Sequence, residues 1–215
     1  MDAAPTGAIA RSASAPDDGH PAWPTAALEA QVIASRSYAL SKIGVIKPSC
    51  DCHVYSHIAD QNFVGYSKEA EPKIGALWKA AVTRTNIDTS TSLVILANGK
   101  PIQAYYSSSS GGATQTTLDA WGQATSYTQS VADPAGLDPK INPRFASWKA
   151  SSTQQLVAAA FLLPDVISLE IVSRNSAGAV TYIKGTSSNG STKLLRGDTF
   201  RSRAKIPSPY FQLAQ

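Results

Sequence analysis

The densest group of potentially reactive side chains lies in the segment CDCHVYSH, residues 50–57. Cys50, Cys52 and His53 are residue types that bind zinc, and His57 follows His53 by four positions. The C-x-C spacing differs from the wider spacing of familiar structural zinc sites. The sequence therefore leaves two interpretations open. One is a zinc site built on Cys50, Cys52 and His53, and the other is a disulfide or a pair of thiols without metal.

Carboxylates, the usual acids and bases of hydrolytic chemistry, are scarce in this chain. The four Glu residues favour structural roles. Glu29 lies on a predicted helix, Glu69 and Glu71 flank the start of another, and Glu170 lies in a predicted strand. Near the N-terminus, Asp17 and Asp18 precede Gly19 in a predicted turn. A serine–histidine–aspartate triad is disfavoured, because the chain has 3 His and no G-x-S-x-G motif.

The composition excludes several classes of protein. Apolar residues make up 43% of the 215-residue chain and charged residues 16%. No apolar run approaches the roughly 18 residues of a membrane span. The net charge is +4, but the basic residues are scattered and do not resemble a nucleic-acid-binding arm. This weakly basic surface, rich in Ser, Thr and Tyr, suits a polyhydroxylated and mildly acidic polymer, or simply a solvated surface with few charges.

Two segments have the apolar spacing of helices. Residues 25–40 contain no Gly or Pro and are small or apolar nearly all round, which predicts a buried helix with Thr25 as its N-cap. Residues 71–85 repeat apolar side chains at three-and-four spacing, with Pro72 in the first turn of an amphipathic helix. Residues 1–24 are aperiodic and rich in Ala, Ser, Pro and Asp, which indicates an N-terminal arm or linker.

Strand patterns occupy the middle and the end of the chain. Asn98 and Gly99 supply the turn of a predicted hairpin. Three further strands are predicted over 166–174, 179–185 and 193–195, with short helices over 153–161 and 197–204. Because strands and helices occur in runs, we expect an α+β fold with a mixed or antiparallel sheet over residues 25–215.

Five stretches, in order along the chain, resemble the sporulation stage II protein D (SpoIID) and amidase-enhancer (LytB) domain family. They are AWPTAALEAQVIASRSYAL at 22–40, DQNFVGY at 60–66, GKPIQAYYSSSSGGATQ at 99–115, VADPAGLDPKINPRFASW at 131–148 and GDTFRSRAKIPSPYF at 197–211. The resemblance implies the fold of that family and an action on peptidoglycan. Family members that are enzymes are lytic transglycosylases, which cleave glycan strands with one carboxyl group and leave 1,6-anhydro ends.

The resemblance also implies roles for particular residues. The catalytic Glu of the family precedes the Trp-Pro of its first helix. Alignment on Trp23 places Asp18 at that position, whereas alignment on Pro21 places Gly19 there. The residues expected to bind substrate are those of the Gln-x-Tyr-x-Gly and Ser-Ser-Gly-Gly-x-Thr motifs: Gln61, Ser109, Ser110, Gly111, Gly112 and Thr114. The zinc-binding members have a wider Cys spacing than Cys50 and Cys52.

Because Asp18 stands where the family has Glu, the sequence also supports a second, non-catalytic role. Asp is one methylene shorter, and an ångström of lost reach costs on the order of 100-fold in rate. The alternative is therefore a glycan-binding or amidase-enhancer module without catalysis. For either role we expect glycan strands, and for the second a cell-wall amidase, as partners at an extracytoplasmic, cell-wall location. We also expect the N-terminal helix and the serine–glycine stretch to line a groove for the carbohydrate chain.

Overall fold

The computed structural model describes residues 24–57 and 59–214, and the predicted arm therefore lies outside it except for Pro24. These residues form two compact units, which divide between Ser108 and Ser109. The helices and strands are, in chain order, α1 Thr25–Lys42, α2 Pro72–Arg84, β1 Leu96–Ala97, β2 Lys100–Pro101, α3 Thr117–Trp121, α4 Gln154–Phe161, β3 Ser168–Arg174, β4 Val180–Thr186, β5 Thr192–Arg196 and α5 Gly197–Arg203. The expected α+β class is confirmed.

The first unit is built on helices α1 and α2. Their shared core consists of Leu28 and Val32 from α1 and Trp78 and Ala81 from α2. Both helices were predicted from their apolar spacing, and their bounds agree with the prediction within a few residues. The N-cap prediction was wrong: Thr25 is already helical, and Pro24 is the N-cap. The Pro24 carbonyl accepts hydrogen bonds from the backbone amides of Ala27 and Leu28, which are among the first amide groups of the helix.

The predicted hairpin closes the first unit, although its ladder is short. Leu96 pairs with Pro101 and Ala97 with Lys100 in antiparallel register. Asn98 and Gly99 both have left-handed backbone angles, with φ of +51° and +74°. That pair of angles is what a two-residue turn between right-twisted strands requires, and it explains the Asn-Gly sequence.

The second unit contains a three-stranded antiparallel sheet in the order β3–β4–β5. One face of the sheet packs on α4 and α5 through a core that includes Phe161, Ile183 and Phe200. The space at Gly185 is required by this packing, since a Cβ there would lie 2.9 Å from the Phe161 ring. Helix α3 was not predicted, although its Thr116 N-cap accepts a hydrogen bond from the Asp119 amide in the manner of ordinary helix starts.

Candidate functional site

The predicted catalytic carboxylate, Asp18, lies outside the described residues. So do Asp17 and His20, and the structure therefore bears on the helix that follows these residues and on the two segments predicted to bind substrate. Gln61 belongs to the first unit, and the serine–glycine loop, residues 109–114, belongs to the second. The predicted groove between the N-terminal helix and the serine–glycine stretch stays a prediction.

Gln61 is buried against helix α1. Its residue surface is 4% exposed, and its side-chain amide donates a 3.3 Å hydrogen bond to the Ser35 carbonyl oxygen. Ser35 is buried as well, and its hydroxyl accepts a 3.0 Å hydrogen bond from the Gln31 amide. In this conformation Gln61 fixes the loop to the helix, while its contact with substrate stays a prediction.

Asp60, the neighbour of Gln61, is an acceptor for three donors from different parts of the first unit. Its carboxylate accepts 2.7 Å and 2.8 Å hydrogen bonds from the Tyr38 hydroxyl and the Tyr55 amide, and it pairs with the Lys47 ammonium. Burial alone would raise the pKa of Asp60, but the three donors outweigh it and lower the pKa to about 2. Asp60 is therefore ionised at neutral pH and holds α1 and its following loop together.

Arg36 performs a similar task on the other side of α1. Its guanidinium donates to the Leu93 carbonyl at 2.9 Å, and at 3.3–3.4 Å to the Thr85 carbonyl and the Asn86 side chain. These acceptors follow the end of α2 and precede the hairpin. A charged group that bonds to several backbone carbonyls restricts the movement of the segments that carry them. Arg36 thus positions the segment before the hairpin against α1.

In the second unit, the serine–glycine loop is held by residues of two later motifs. The Ser109 hydroxyl accepts a 3.0 Å hydrogen bond from the Asn142 amide, and the Ser110 hydroxyl donates a 2.7 Å bond to Asp133. The Ser110 oxygen also accepts from the Gly112 amide at 3.2 Å. Asn142 and Asp133 belong to the Asn-Pro and Asp-Pro stretches of the sequence. The structure therefore brings together motifs that are 23 and 33 residues apart.

Both glycines of this loop are required by close approach and by backbone angle. Gly111 and Gly112 have φ of +73° and +104°, where side chains are disfavoured. A Cβ on Gly111 would lie 2.6 Å from the Tyr210 ring, and one on Gly112 would lie 2.8 Å from Leu137. The Tyr210 hydroxyl donates a 2.7 Å bond to the Ala113 carbonyl. Gly111 and Gly112 are therefore so close to these side chains that a residue with a Cβ would not fit at either position unless its neighbour moved.

Thr114 closes the loop through its hydroxyl and its backbone. The hydroxyl donates to the Gln129 carbonyl at 2.9 Å and accepts from the Val131 amide at 2.8 Å, while the Thr114 amide donates to the Val131 carbonyl. Five of the predicted substrate-binding residues, Ser109, Ser110, Gly111, Gly112 and Thr114, therefore form one hydrogen-bonded loop. Their hydroxyls hold the loop in shape, and their contact with substrate stays a prediction.

The cysteines predicted as zinc ligands are joined to each other. Cys50 and Cys52 form a disulfide, and neither sulfur is available to a metal in this form. The His53 ring nitrogen Nδ1 lies 3.1 Å from the Val45 carbonyl oxygen. Within residues 24–57 and 59–214, no group of three His, Cys, Asp or Glu side chains is placed to hold a metal ion. The residues present therefore do not fit a zinc ion in the oxidised protein.

Two further described carboxylates have lowered pKa values, which is the opposite of what a general acid requires. Hydrogen bonds from Ser90 and Thr91 lower the pKa of Asp88, and those from Ser187 and Ser188 lower the pKa of Asp165. A general acid at neutral pH needs a raised pKa instead.

Sequence reasoning missed the residues that hold these segments in place. Asp60 lies within the DQNFVGY stretch, but no role was predicted for it. Tyr210 could not be paired with the loop because it is 97 residues from its partner Ala113. The Asp-Pro and Asn-Pro motifs were the one signal that could have identified Asp133 and Asn142 as partners of the loop.

Comparison with known proteins gives two matches. Residues 15–91 match the SpoIID family, described as Stage II sporulation protein. The amidase enhancer of Bacillus subtilis (strain 168) is 29% identical over 126 residues, which is 59% of this chain. The matched stretch spans 15% of the length of that relative. No helix among the residues that the structure describes is long and apolar enough to cross a membrane.

Proposed function

We propose that this chain, which matches the SpoIID family over residues 15–91, acts on the glycan strands of peptidoglycan as a lytic transglycosylase with Asp18 as its acid and base. The observation that supports this most directly is the family match over residues 15–91, which includes Asp18 and all of α1. We place the protein outside the cytoplasm, in contact with the cell wall.

The proposed reaction needs one carboxyl group. Asp18 in its protonated form donates a proton to the glycosidic oxygen, and the bond from that oxygen to the anomeric carbon breaks. The resulting carboxylate then accepts the proton of the sugar's own 6-hydroxyl, whose oxygen attacks the anomeric carbon. A 1,6-anhydro ring forms, Asp18 regains its proton and no water is consumed. Water-using glycosidases require a carboxylate pair instead.

The described carboxylates with a lowered pKa are not suited to act as the acid. Asp60, with a pKa of about 2, cannot protonate a glycosidic oxygen at neutral pH. The pKa values of Asp88 and Asp165 are shifted in the same direction. Asp18 combines the position of the family's acid with a carboxyl group of the required kind.

The serine–glycine loop is the proposed surface for the sugar hydroxyl and N-acetyl groups. Its backbone is fixed by Asp133, Asn142 and Tyr210. A surface fixed before binding loses little conformational freedom when the glycan arrives. In the first unit, Gln61 contributes by holding its loop against α1.

A second role is favoured by two observations. The position of the family's catalytic Glu carries the shorter Asp, and the matched relative is named an amidase enhancer. In this role the domain binds glycan strands without cleaving them and presents them to a cell-wall amidase. The two roles share the glycan strand and differ in whether residue 18 cleaves it or an amidase partner acts on the bound strand.

Cleavage of peptide-free glycan strands separates the two roles. We expect the parent protein to release fragments with 1,6-anhydromuramic ends, detected by mass spectrometry, and Asp18→Asn to release none. Asp17→Asn is the matched control, because it removes the adjacent carboxylate and should keep the activity. Parent protein that releases no such ends, beside an active transglycosylase, contradicts the catalytic role. New activity in Asp18→Glu would then show that the shorter side chain is the cause.

A further inference from the structure

The Cys50–Cys52 disulfide lies in the first unit and belongs to neither of the segments predicted to bind substrate. It joins residues two positions apart, with 5.2 Å between their Cα atoms. Cys50 is exposed and Cys52 is half-buried, and the bond therefore lies at the surface of the first unit. Asp51 between them has a left-handed backbone with φ of +48°, which Asp tolerates better than most residues.

This disulfide contributes little as a structural staple. A disulfide stabilises mainly by closing a loop in the unfolded chain, and that contribution grows with the number of residues enclosed. One enclosed residue is the smallest loop of this kind apart from adjacent cysteines. A structural role for the bond therefore has little physical basis.

The turn is also held by contacts that do not involve sulfur. The Lys47 amide donates to the Cys52 carbonyl at 2.9 Å, and the Cys50 amide donates to the Lys47 carbonyl at 3.2 Å. Farther along the turn, Asp60 pairs with the Lys47 ammonium and accepts from the Tyr55 amide. None of these contacts uses a sulfur atom, so we expect the turn to keep the two thiols close when the sulfur–sulfur bond opens.

We propose that Cys50 and Cys52 form a thiol–disulfide exchange site that takes two electrons from an external dithiol. Exposed disulfides that constrain little chain are the ones that exchange readily. This proposal is independent of the action on glycan strands, since it uses neither Asp18 nor the serine–glycine loop.

The exchange proceeds in two balanced steps. A thiolate of the dithiol attacks the exposed Cys50 sulfur, a mixed disulfide forms and Cys52 leaves as a thiolate that takes up a proton. The second thiol of the partner then gives up its proton and attacks the partner's sulfur in the mixed disulfide. Cys50 leaves as a thiolate and is protonated. The partner ends as a disulfide, and two electrons and two protons have passed to the Cys pair.

The first test compares reduction of the folded and the urea-unfolded protein by dithiothreitol. Thiols are trapped by alkylation and counted by mass spectrometry. We expect folding to slow the reduction by less than about a hundredfold, because an exchange site is not protected by the fold. Slowing by a hundredfold or more identifies a structural disulfide and overturns the proposal.

The second test uses the matched single variants Cys52→Ser and Cys50→Ser, each of which keeps one thiol. Both are incubated with oxidised glutathione, and the mixed disulfide is followed by mass. Cys50 in the first variant should form it about tenfold faster than Cys52 in the second, because Cys50 is the exposed thiol. Equal or reversed rates overturn Cys50 as the more accessible of the two sulfurs, and with it the order of the first exchange step. Unchanged circular dichroism confirms that both variants fold.

Discussion

The Tyr38 hydroxyl donates a 2.7 Å hydrogen bond to Asp60, which joins helix α1 to a loop 22 residues later. Burial and this bond raise the pKa of Tyr38, while the donors around Asp60 lower the pKa of its carboxyl. The residue after Asp60, Gln61, bonds to the same helix at Ser35. Asp60 and Gln61 thus fix their loop to α1, Asp60 as a hydrogen-bond acceptor and Gln61 as a hydrogen-bond donor.

Replacement of Asp60 by Asn should lower the free energy of unfolding by about 2 kcal/mol at pH 7. The figure follows from the shift of the Asp60 pKa from 3.8 to about 2 in the folded protein. Because the folded pKa is the lower one, this stabilisation is fully present above pH 4 and is lost as the pH falls towards 2. Chemical denaturation of both proteins between pH 7 and pH 2 measures it.

The control for this change is Asp51→Asn, which removes an exposed carboxylate from the same segment. It should leave stability within about 0.5 kcal/mol at every pH. A difference between parent and Asp60→Asn that stays constant down to pH 2 contradicts the assigned role of the carboxylate.

Replacement of Ser37 by Ala should destabilise the first unit by about 2 kcal/mol. Ser37 is fully buried, its hydroxyl donates to the Ile33 carbonyl at 2.6 Å, and it accepts from the Ile95 amide at 2.8 Å. The variant leaves the Ile95 amide without that acceptor. Urea denaturation checks the value. Ser41→Ala, which removes a hydroxyl bonded only to the Tyr38 carbonyl, should cost less than about 0.5 kcal/mol. Equal losses in the two variants refute the argument.

Replacement of Gly111 by Ala should destabilise the second unit by more than the same change at Gly190. Both glycines have left-handed backbones, with φ of +73° and +84°, and both variants bear the strain of about 1–2 kcal/mol. Only at Gly111 does the new Cβ meet a neighbour, the Tyr210 ring at 2.6 Å. We expect an additional loss of about 1–3 kcal/mol from overpacking, measured by thermal unfolding. Identical melting temperatures would mean that Tyr210 moves aside without cost.

Replacement of Asn142 by Ala should weaken binding to glycan strands by about 3- to 10-fold. The Asn142 amide bonds to the Ser109 hydroxyl at 3.0 Å and to the Gly136 carbonyl at 2.8 Å, and the variant leaves the proposed binding loop less fixed. Asn189→Ala is the matched control, because Asn189 bonds only to the Ser191 amide within a surface turn. Pull-down on peptide-free strands coupled to beads measures both. Equal affinity in the two variants contradicts a role for the loop.

Local patterns in the sequence identified most of the helices and strands. Periodicity predicted α1 and α2, and the left-handed angles demanded by the Asn98-Gly99 turn are present. Thr25 failed as an N-cap because Pro24, one residue earlier, already supplies the carbonyl that the first turn needs. Helix α3 was not predicted, although the sequence contains signals for both of its ends. Thr116 and Asp119 are typical of a helix start, and Gly122 is typical of a helix end.

The candidate site was less accessible to sequence reasoning, because its contacts join distant parts of the chain. The Ser-Ser-Gly-Gly stretch could be recognised, but its partners Asp133, Asn142 and Tyr210 follow it by 23 to 97 residues. Such pairing depends on the fold and leaves no periodic signal. Cys50 and Cys52 are a different case, because they are close in sequence but their spacing allowed either a metal site or a disulfide.

Recognition of the glycan strands of peptidoglycan by this domain is tested most directly by co-sedimentation with purified sacculi. The parent protein should pellet with the sacculi and stay in the supernatant with an unrelated insoluble polysaccharide. Equal recovery from both polymers, or no recovery from the sacculi, contradicts the proposed recognition of glycan strands.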